Sequence, residues 1–237
     1  MFNRVLHIPE KLSDIDTAEV LRYLGYAKSQ PDSATMRLIK RCLEKLCADV
    51  RPRCVYAAFP IKRGDGRLAL EGCSLVFEGQ DIADHLKNCQ VAVLLAVTLS
   101  EQADRLIRCA MAKDLTKGIV MDACASAAVE SVCDQTESVI KAKFSGSFFT
   151  ERFSPGYGDF PIEMQKDFLT VVDTQRTIGL CATQSSILTP RKSVTAVMGV
   201  GNYPAAPPKT GCNNCRLREN CSFIKRGEFC GFSKPSK

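Results

Sequence analysis

Two periods organise the apolar positions of this chain. Met36, Ile39, Leu43, Leu46 and Val50 recur three and four residues apart, with Arg37, Lys40, Arg41 and Glu44 between them. That is the pattern of a helix with one face on a core and the other in water. It predicts a helix from about Ser33 to Ala48, preceded by a short one that Asp16 or Thr17 caps and that ends at Gly25. "CVYAAFPI" (Cys54 to Ile61) and "LALEGCSLVF" (Leu68 to Phe77) flank the turn residues "KRGDG" and read as a hairpin. Asp81 is expected to cap a short helix, and the continuously apolar "VAVLLAVTL" (Val91 to Leu99) contains a buried strand over 91–97. Helical spacing resumes from Ser100 to about Ala112, with Leu106, Cys109 and Ala110 on the buried side, and again from about Lys117 to Lys143. Ile162 to Val172 is a further helix, while "CATQSSIL" (Cys181 to Leu188) and "SVTAVMGV" (Ser193 to Val200), joined by "TPRK", are two further strands. The order predicts an α+β domain, an antiparallel sheet with helices packed on it.

The middle of the long helix, "DACASAAVES" (Asp122 to Ser131), is built of small side chains. Small residues let another backbone or a flat ligand come close, and close packing against the sheet is the commoner use. "GNYPAAPPKTG" (Gly201 to Gly211) has the Pro and Gly density of a linker. It divides a body of residues 1–200 from a tail of residues 212–237.

The chain has 237 residues, 45% of them apolar, enough to fill a core. Its longest apolar run is about half of the roughly 20 residues a spanning helix needs. Polar residues interrupt the N-terminal "MFNRVLHIPEKLSDID" where a signal peptide has its apolar block, so no membrane association and a cytoplasmic location are expected. Thirteen cysteines is an odd number, which excludes complete pairing within the chain and favours thiols or metal ligands. Nine of them (Cys42, Cys47, Cys54, Cys73, Cys89, Cys109, Cys124, Cys133 and Cys181) are scattered and are expected to act mostly as small hydrophobes on apolar faces.

The other four, Cys212, Cys215, Cys221 and Cys230, lie in polar, basic chain with no core to fill. Residues 205–237 carry seven Lys or Arg against two Glu, a net +5 of the chain's +6. The intervening stretches are two, five and eight residues long, and four thiolates converging on one point need a soft metal to offset their repulsion. Neighbouring Arg and Lys favour the thiolate forms. Only the first pair forms a CxxC knuckle, which favours a 4Fe-4S cluster, with zinc as the alternative. Nucleic-acid binding is not expected, because interleaved aromatics and zinc-finger histidines are missing. The two histidines, His7 and His85, stand apart from other ligand types and read as structural.

"RFSPGYGDFP" (residues 152–161) concentrates unusual chemistry in a stiff loop. Pro155 fixes one torsion and Gly156 permits positive φ, so Arg152 and Tyr157 are presented from a preorganised turn. An arginine fork clamps a carboxylate, each charge-assisted hydrogen bond contributing on the order of 1.5–3 kcal/mol. A tyrosine ring sits well against a cation. A ligand with both a carboxylate and a positive centre, such as an amino-acid sulfonium, matches. A plain surface turn with a solvated Arg fits the residues equally well.

From Arg152 to Val200 the chain resembles the S-adenosylmethionine-binding activation domain of cobalamin-dependent methionine synthase. The family's Arg-x-x-x-Gly-Tyr is matched by Arg152, Gly156 and Tyr157, and its later "T-x-S…P…S-V" strand pair by Thr183, Ser185, Pro190, Ser193 and Val194. The resemblance extends back to about residue 90. It implies that the domain holds S-adenosylmethionine above an accidentally oxidised cobalamin, so that one-electron reduction of the cobalt is captured by methyl transfer. Arg152 would grip the cofactor's carboxylate, the backbone of Ser154, Pro155 and Gly156 would contact it, and Tyr157 would lie near the sulfonium. Glu130 falls where the family has an acidic residue near the site, a solvated helical Glu being the alternative. No side chain is assigned as a catalytic group.

The sequence has no corrinoid-binding module and no homocysteine-binding barrel, so the resemblance implies action on a partner, a corrinoid-carrying methyltransferase subunit of a split methionine synthase. It has no Trp, hence no counterpart of the family's Asp-Trp contact. A cluster in the tail could relay the electron, or the basic tail could dock a flavodoxin or ferredoxin. The alternative reading is a metal-stabilised interaction module that docks a redox or corrinoid protein without binding S-adenosylmethionine.

Overall fold

Alternation along the central strands sets the architecture. Cys54, Tyr56, Val93, Leu95, Val97, Met198 and Val200 face one core, and Val55, Ala57, Ala92, Leu94, Ala96 and Val197 face the other, as a period of two requires of a sheet covered on both sides. The computed structural model describes residues 5–7, 12, 15–26, 29–64, 67–204, 218–220 and 225. Its elements in chain order are β1 (Val5–His7), α1 (Thr17–Tyr23), α2 (Ser33–Asp49), β2 (Arg53–Gly64), β3 (Arg67–Leu70), β4 (Val76–Phe77), α3 (Gln80–His85), β5 (Val91–Thr98), α4 (Ser100–Lys113), α5 (Leu115–Lys143), β6 (Phe148–Phe149), α6 (Met164–Val172), α7 (Thr174–Ile178), β7 (Cys181–Ala182), β8 (Leu188–Thr189) and β9 (Ser193–Gly201).

The main sheet is seven-stranded in the order β4-β3-β2-β5-β9-β6, with β1 also beside β2, and every pairing is antiparallel. The predicted α+β class is what the chain adopts. Asp16, Asp32 and Asp114 cap α1, α2 and α5, their carboxylates accepting from the N–H groups of Ala18, Thr35 and Lys117. One helical layer holds α1, α2, α4 and α5, with α5 packed against the other three and against β5 and β9. Its Ala123, Cys124, Ala125, Ala127, Ala128 and Val129 are all buried, so the small-residue stretch serves close packing. The other core gathers α3, α6, α7, β3 and β4 around Phe77, Phe160 and Phe168.

Several expectations need correction. The stretch from Leu68 to Phe77 is two strands, because Gly72 at φ +83° turns the chain between β3 and β4. The stretch from Cys181 to Leu188 is not a strand of the main sheet. It folds on itself as the β7–β8 hairpin, where Thr183 N–H donates to Ile187 O (2.8 Å) and Ile187 N–H to Thr183 Oγ1 (3.1 Å), hydroxyl-to-backbone bonding that favours turns over ladders. On α2 the buried set is Ile39, Cys42, Leu46 and Val50, with Met36 exposed. On α4, Ala103, Ile107 and Ala110 are buried and Cys109 is exposed, as is Cys181. Cys42, Cys54, Cys89, Cys124 and Cys133 are buried and in no disulfide. Among the described residues no helix is long and apolar enough to cross a membrane, and no group of three or more His, Cys, Asp or Glu could hold a metal ion. Cys212, Cys215, Cys221 and Cys230 lie outside the described residues.

Candidate functional site

A break in the edge pairing of β9 creates the position of Arg152. Phe148 and Phe149 of β6 pair with Gly201 and Val200. Pairing resumes at Phe153, which exchanges both backbone hydrogen bonds with Val197 at 3.0 and 2.8 Å. Phe149 to Phe153 is four steps and Val200 to Val197 is three, so one extra residue is accommodated as a β-bulge, a device that re-aims side chains at functional sites. Thr150 closes the gap: its N–H donates to Gly199 O (3.0 Å) and its Oγ1 accepts from Gly199 N–H (2.8 Å). Phe153 then packs against the second core, stacked on Phe160 and on His85. Arg152 is brought to α5.

The turn that follows is tied internally. Gly156 N–H donates to Phe160 O (2.8 Å), Tyr157 N–H to Ser154 O (3.0 Å) and Phe160 N–H to Tyr157 O (2.9 Å), with Pro155 buried beneath. Gly156 lies at φ +96° and Gly158 at +53°. A Cβ at Gly158 would run into the Asp81 carboxylate, so this glycine is required by close approach as well as by conformation. The cap of α3 differs from expectation. Gly79 precedes the helix, and the Asp159 carboxylate accepts from the N–H groups of Gln80 (2.7 Å) and Asp81 (2.9 Å). Asp81 returns the bond, its carboxylate accepting from Asp159 N–H at 3.0 Å.

Across from the turn, α5 presents Glu130, Asp134 and Glu137 at helical spacing on one stripe. The Arg152 guanidinium meets all three: Nη2 lies 3.1 Å from Glu130 Oε2, and Nη1 lies 2.8 Å from Asp134 Oδ1 and 3.3 Å from Glu137 Oε2. The arginine side chain is only 20% exposed, against 70% for Asp134 and 40% for Glu130. Arg152 is thus sheltered and ion-paired, while Glu130 keeps partial exposure alongside its ion pair. Burial pushes the Glu130 carboxyl above its usual range, with Arg152 pulling against it and Asp134 adding to it. Burial works against the Arg152 charge and the carboxylates of Asp134 and Glu130 work for it, so the guanidinium stays protonated.

Two phenols and a second arginine complete the surroundings. Tyr157, 45% exposed, meets the Phe153 ring edge-on at 6.1 Å. Its hydroxyl is pushed up by burial, then by the charge of Glu130. Burial and Glu130 likewise raise Tyr23 of α1. Beside it Arg22 lies over the Tyr23 ring at 4.4 Å and donates to Glu19 Oε2 at 2.7 and 2.9 Å. Asp134, Glu137, Arg22 and Tyr23 escaped the sequence reading. The signal for the first two was an acidic i, i+4, i+7 stripe on an otherwise small-residue helix. For the α1 pair nothing local distinguishes them.

Three concavities of about 910, 290 and 30 Å³ lie elsewhere, the largest along β3, β4 and α3. Neither Arg152, Glu130 nor Tyr157 lines any of these three. Any further anion at this guanidinium would compete with the three carboxylates already on it. Asp134, the most exposed, is the least costly to displace. Lys141 also pairs with Glu137 (2.6 Å), so two cations stand among the three carboxylates and the stripe keeps one negative charge for a ligand's ammonium or sulfonium. The ensemble fits a zwitterion with an added positive centre.

No protein-family model matches the chain, and no curated protein matches its sequence. In structure it is similar to the crystal structure of the MetH reactivation domain bound to AdoHcy, with a TM-score of 0.66 over 96% of this chain and 87% of that one at 14% identity. The chain therefore has the α+β fold of the MetH reactivation domain.

Proposed function

We propose that this protein binds S-adenosylmethionine beside Arg152 and supports reductive methylation of the cobalamin of a partner methyltransferase, the corrinoid-carrying subunit of a split methionine synthase. The observation that carries the reading is the sheltered guanidinium of Arg152, aimed by a bulge and a tied turn at an acidic stripe, in a fold shared with a reactivation domain bound to AdoHcy. Arg152 takes the amino-acid carboxylate by exchanging Asp134 for it. Glu130 faces the ammonium, and Tyr157 and the remaining carboxylates face the sulfonium. The backbone of Ser154, Pro155 and Gly156 forms the wall.

On this reading the substrate is the partner's cob(II)alamin. An external donor supplies one electron to give cob(I)alamin, whose cobalt electron pair attacks the methyl carbon of the sulfonium. The carbon–sulfur bond breaks, its electron pair stays on sulfur, and S-adenosylhomocysteine leaves. Each ~59 mV of unfavourable potential lowers the reduced population about tenfold, and irreversible methyl capture pulls that population over. The chain's own contribution is orientation: a near-attack placement of the methyl group converts an encounter into a unimolecular step. A metal held by Cys212, Cys215, Cys221 and Cys230, and a docked flavodoxin or ferredoxin, belong to the same proposal as routes for the electron, supported by cysteine spacing and tail charge alone.

Calorimetric titration of the full chain with S-adenosylmethionine tests the reading. One-site binding that Arg152→Ala abolishes is expected; no binding by the wild type, or equal binding by both, defeats it.

A further inference from the structure

The loop carrying Arg152 is held from both sides by one short helix. At the C-terminal end of α3, His85 Nε2 lies 2.9 Å from the carbonyl of Glu151. The His85 ring stacks on Phe153 with centroids 4.9 Å apart and planes at 29°. These are the two residues that flank Arg152. At the other end of α3 the Asp159 carboxylate and the Asp81 carboxylate exchange hydrogen bonds with the opposing backbone. A six-residue helix is about 9 Å long, so its two ends bracket the span from Glu151 to Asp159. The helix is itself anchored: Ile82 and Leu86 are fully buried, and Arg63 Nη2 donates to the carbonyls of Leu86 (2.6 Å) and Cys89 (2.8 Å).

Because Glu151 contributes a carbonyl, Nε2 must carry the proton in this bond. Burial holds His85 below the ordinary imidazole range, against the bond to Glu151, so the ring is neutral around pH 7 and brings no charge near Arg152. Packing alone does not require this residue, since a phenylalanine would stack as well. What the imidazole adds is a donor from α3 to the Glu151 carbonyl, the peptide immediately before Arg152, which also accepts from Thr150 Oγ1 at 3.1 Å.

We propose that α3 is the brace that sets the position of Arg152, with His85 as its principal positioning residue. The donor joins Thr150 Oγ1 on the Glu151 carbonyl and the ring covers Phe153, whose backbone is paired with Val197, so the Cα of Arg152 between them has little freedom. The proposal rests on the reading that Arg152 clamps S-adenosylmethionine. A displacement of about 1 Å at such a clamp is worth on the order of 100-fold in function.

The test uses the full chain and three variants: His85→Phe keeps the ring, His85→Gln keeps a donor at similar reach, and His85→Ala keeps neither. Affinity for S-adenosylmethionine is measured by calorimetry, and amide exchange by mass spectrometry of peptides covering residues 151–157. The expected result is a loss of roughly 10- to 100-fold in affinity for His85→Ala, partial rescue by Phe and by Gln, and faster exchange in the same order. In an Arg152→Lys background the effect of His85→Ala should shrink severalfold, since residues acting through one another are not additive; a merely structural role would leave it unchanged. Wild-type affinity and exchange in His85→Ala overturn the brace alone, as does faster exchange with unchanged affinity. If the wild type itself does not bind, the site reading has failed and takes this proposal with it.

Discussion

Replacing Arg152 by Lys keeps the charge and removes the fork. In the present structure Nη1 reaches Asp134 and Glu137 while Nη2 reaches Glu130, so the guanidinium spreads its donors over two directions that one ammonium cannot span. If the single ammonium of Arg152→Lys stays on Glu130, a ligand carboxylate in the place of Asp134 loses its charge-assisted hydrogen bond, about 1.5–3 kcal/mol, or roughly 10- to 150-fold in Kd for S-adenosylmethionine. Stability should hardly move. The acidic stripe keeps a counter-charge, and partly exposed ion pairs of this kind contribute about 0–1 kcal/mol, which for a chain of this size is no more than about 4 °C in Tm. Calorimetric titration gives the first quantity and a thermal melt the second. An unchanged Kd would refute the clamp. A fall in affinity accompanied by a collapse in Tm would show that the arginine holds the fold rather than the ligand.

Other expectations follow from the same geometry. Glu130 sits above the usual carboxyl value of 4.5 because of burial, so it binds its proton more tightly folded than unfolded. Its contribution is complete below about pH 4.5 and is lost as pH rises through the folded value. Glu130→Gln should flatten that part of the stability–pH curve while weakening S-adenosylmethionine binding at pH 7, and a parallel curve for the variant would refute the assignment. Ala128 is fully buried on the small-residue helix. Ala128→Leu should cost about 1–3 kcal/mol by overpacking, read by urea unfolding, and a neutral result would mean that α5 has room beside it. Anaerobic purification with iron, sulfide and zinc analysis decides the tail: iron and sulfide in near-equal amount, lost in Cys221→Ser, is expected, and a metal-free wild type removes the cluster from the account.

How much was legible in the sequence depended on how local the cause was. The helices α2 and α5 and the strand β5 follow from periodicity, and the cap of α1, read as Asp16 or Thr17, from side-chain oxygens within a few residues. The β3–β4 break and the β7–β8 hairpin were missed because apolar and β-branched residues outweighed, in a sequence reading, the single Gly72 and the Thr183 hydroxyl that turn the backbone. Arg152, Gly156 and Tyr157 were visible as a motif, and Glu130 through resemblance. The bulge that aims Arg152 was not visible, because it is a mismatch of one residue between strands separated by 44 positions (Phe153 to Val197). The same holds for the Asp81–Asp159 exchange, in which each residue looked like an ordinary local cap or turn.

On the proposed reading the chain orients the methyl group of S-adenosylmethionine toward a cobalt on another protein. The most direct measurement incubates the full chain anaerobically with an oxidised corrinoid-carrying methyltransferase, a low-potential reductant and S-adenosylmethionine labelled in its methyl group. Labelled methylcobalamin on the partner, formed with the wild type and strongly reduced with Arg152→Ala, is the expected result. Label reaching cobalt equally well without the chain, or never reaching it in its presence, would contradict the account.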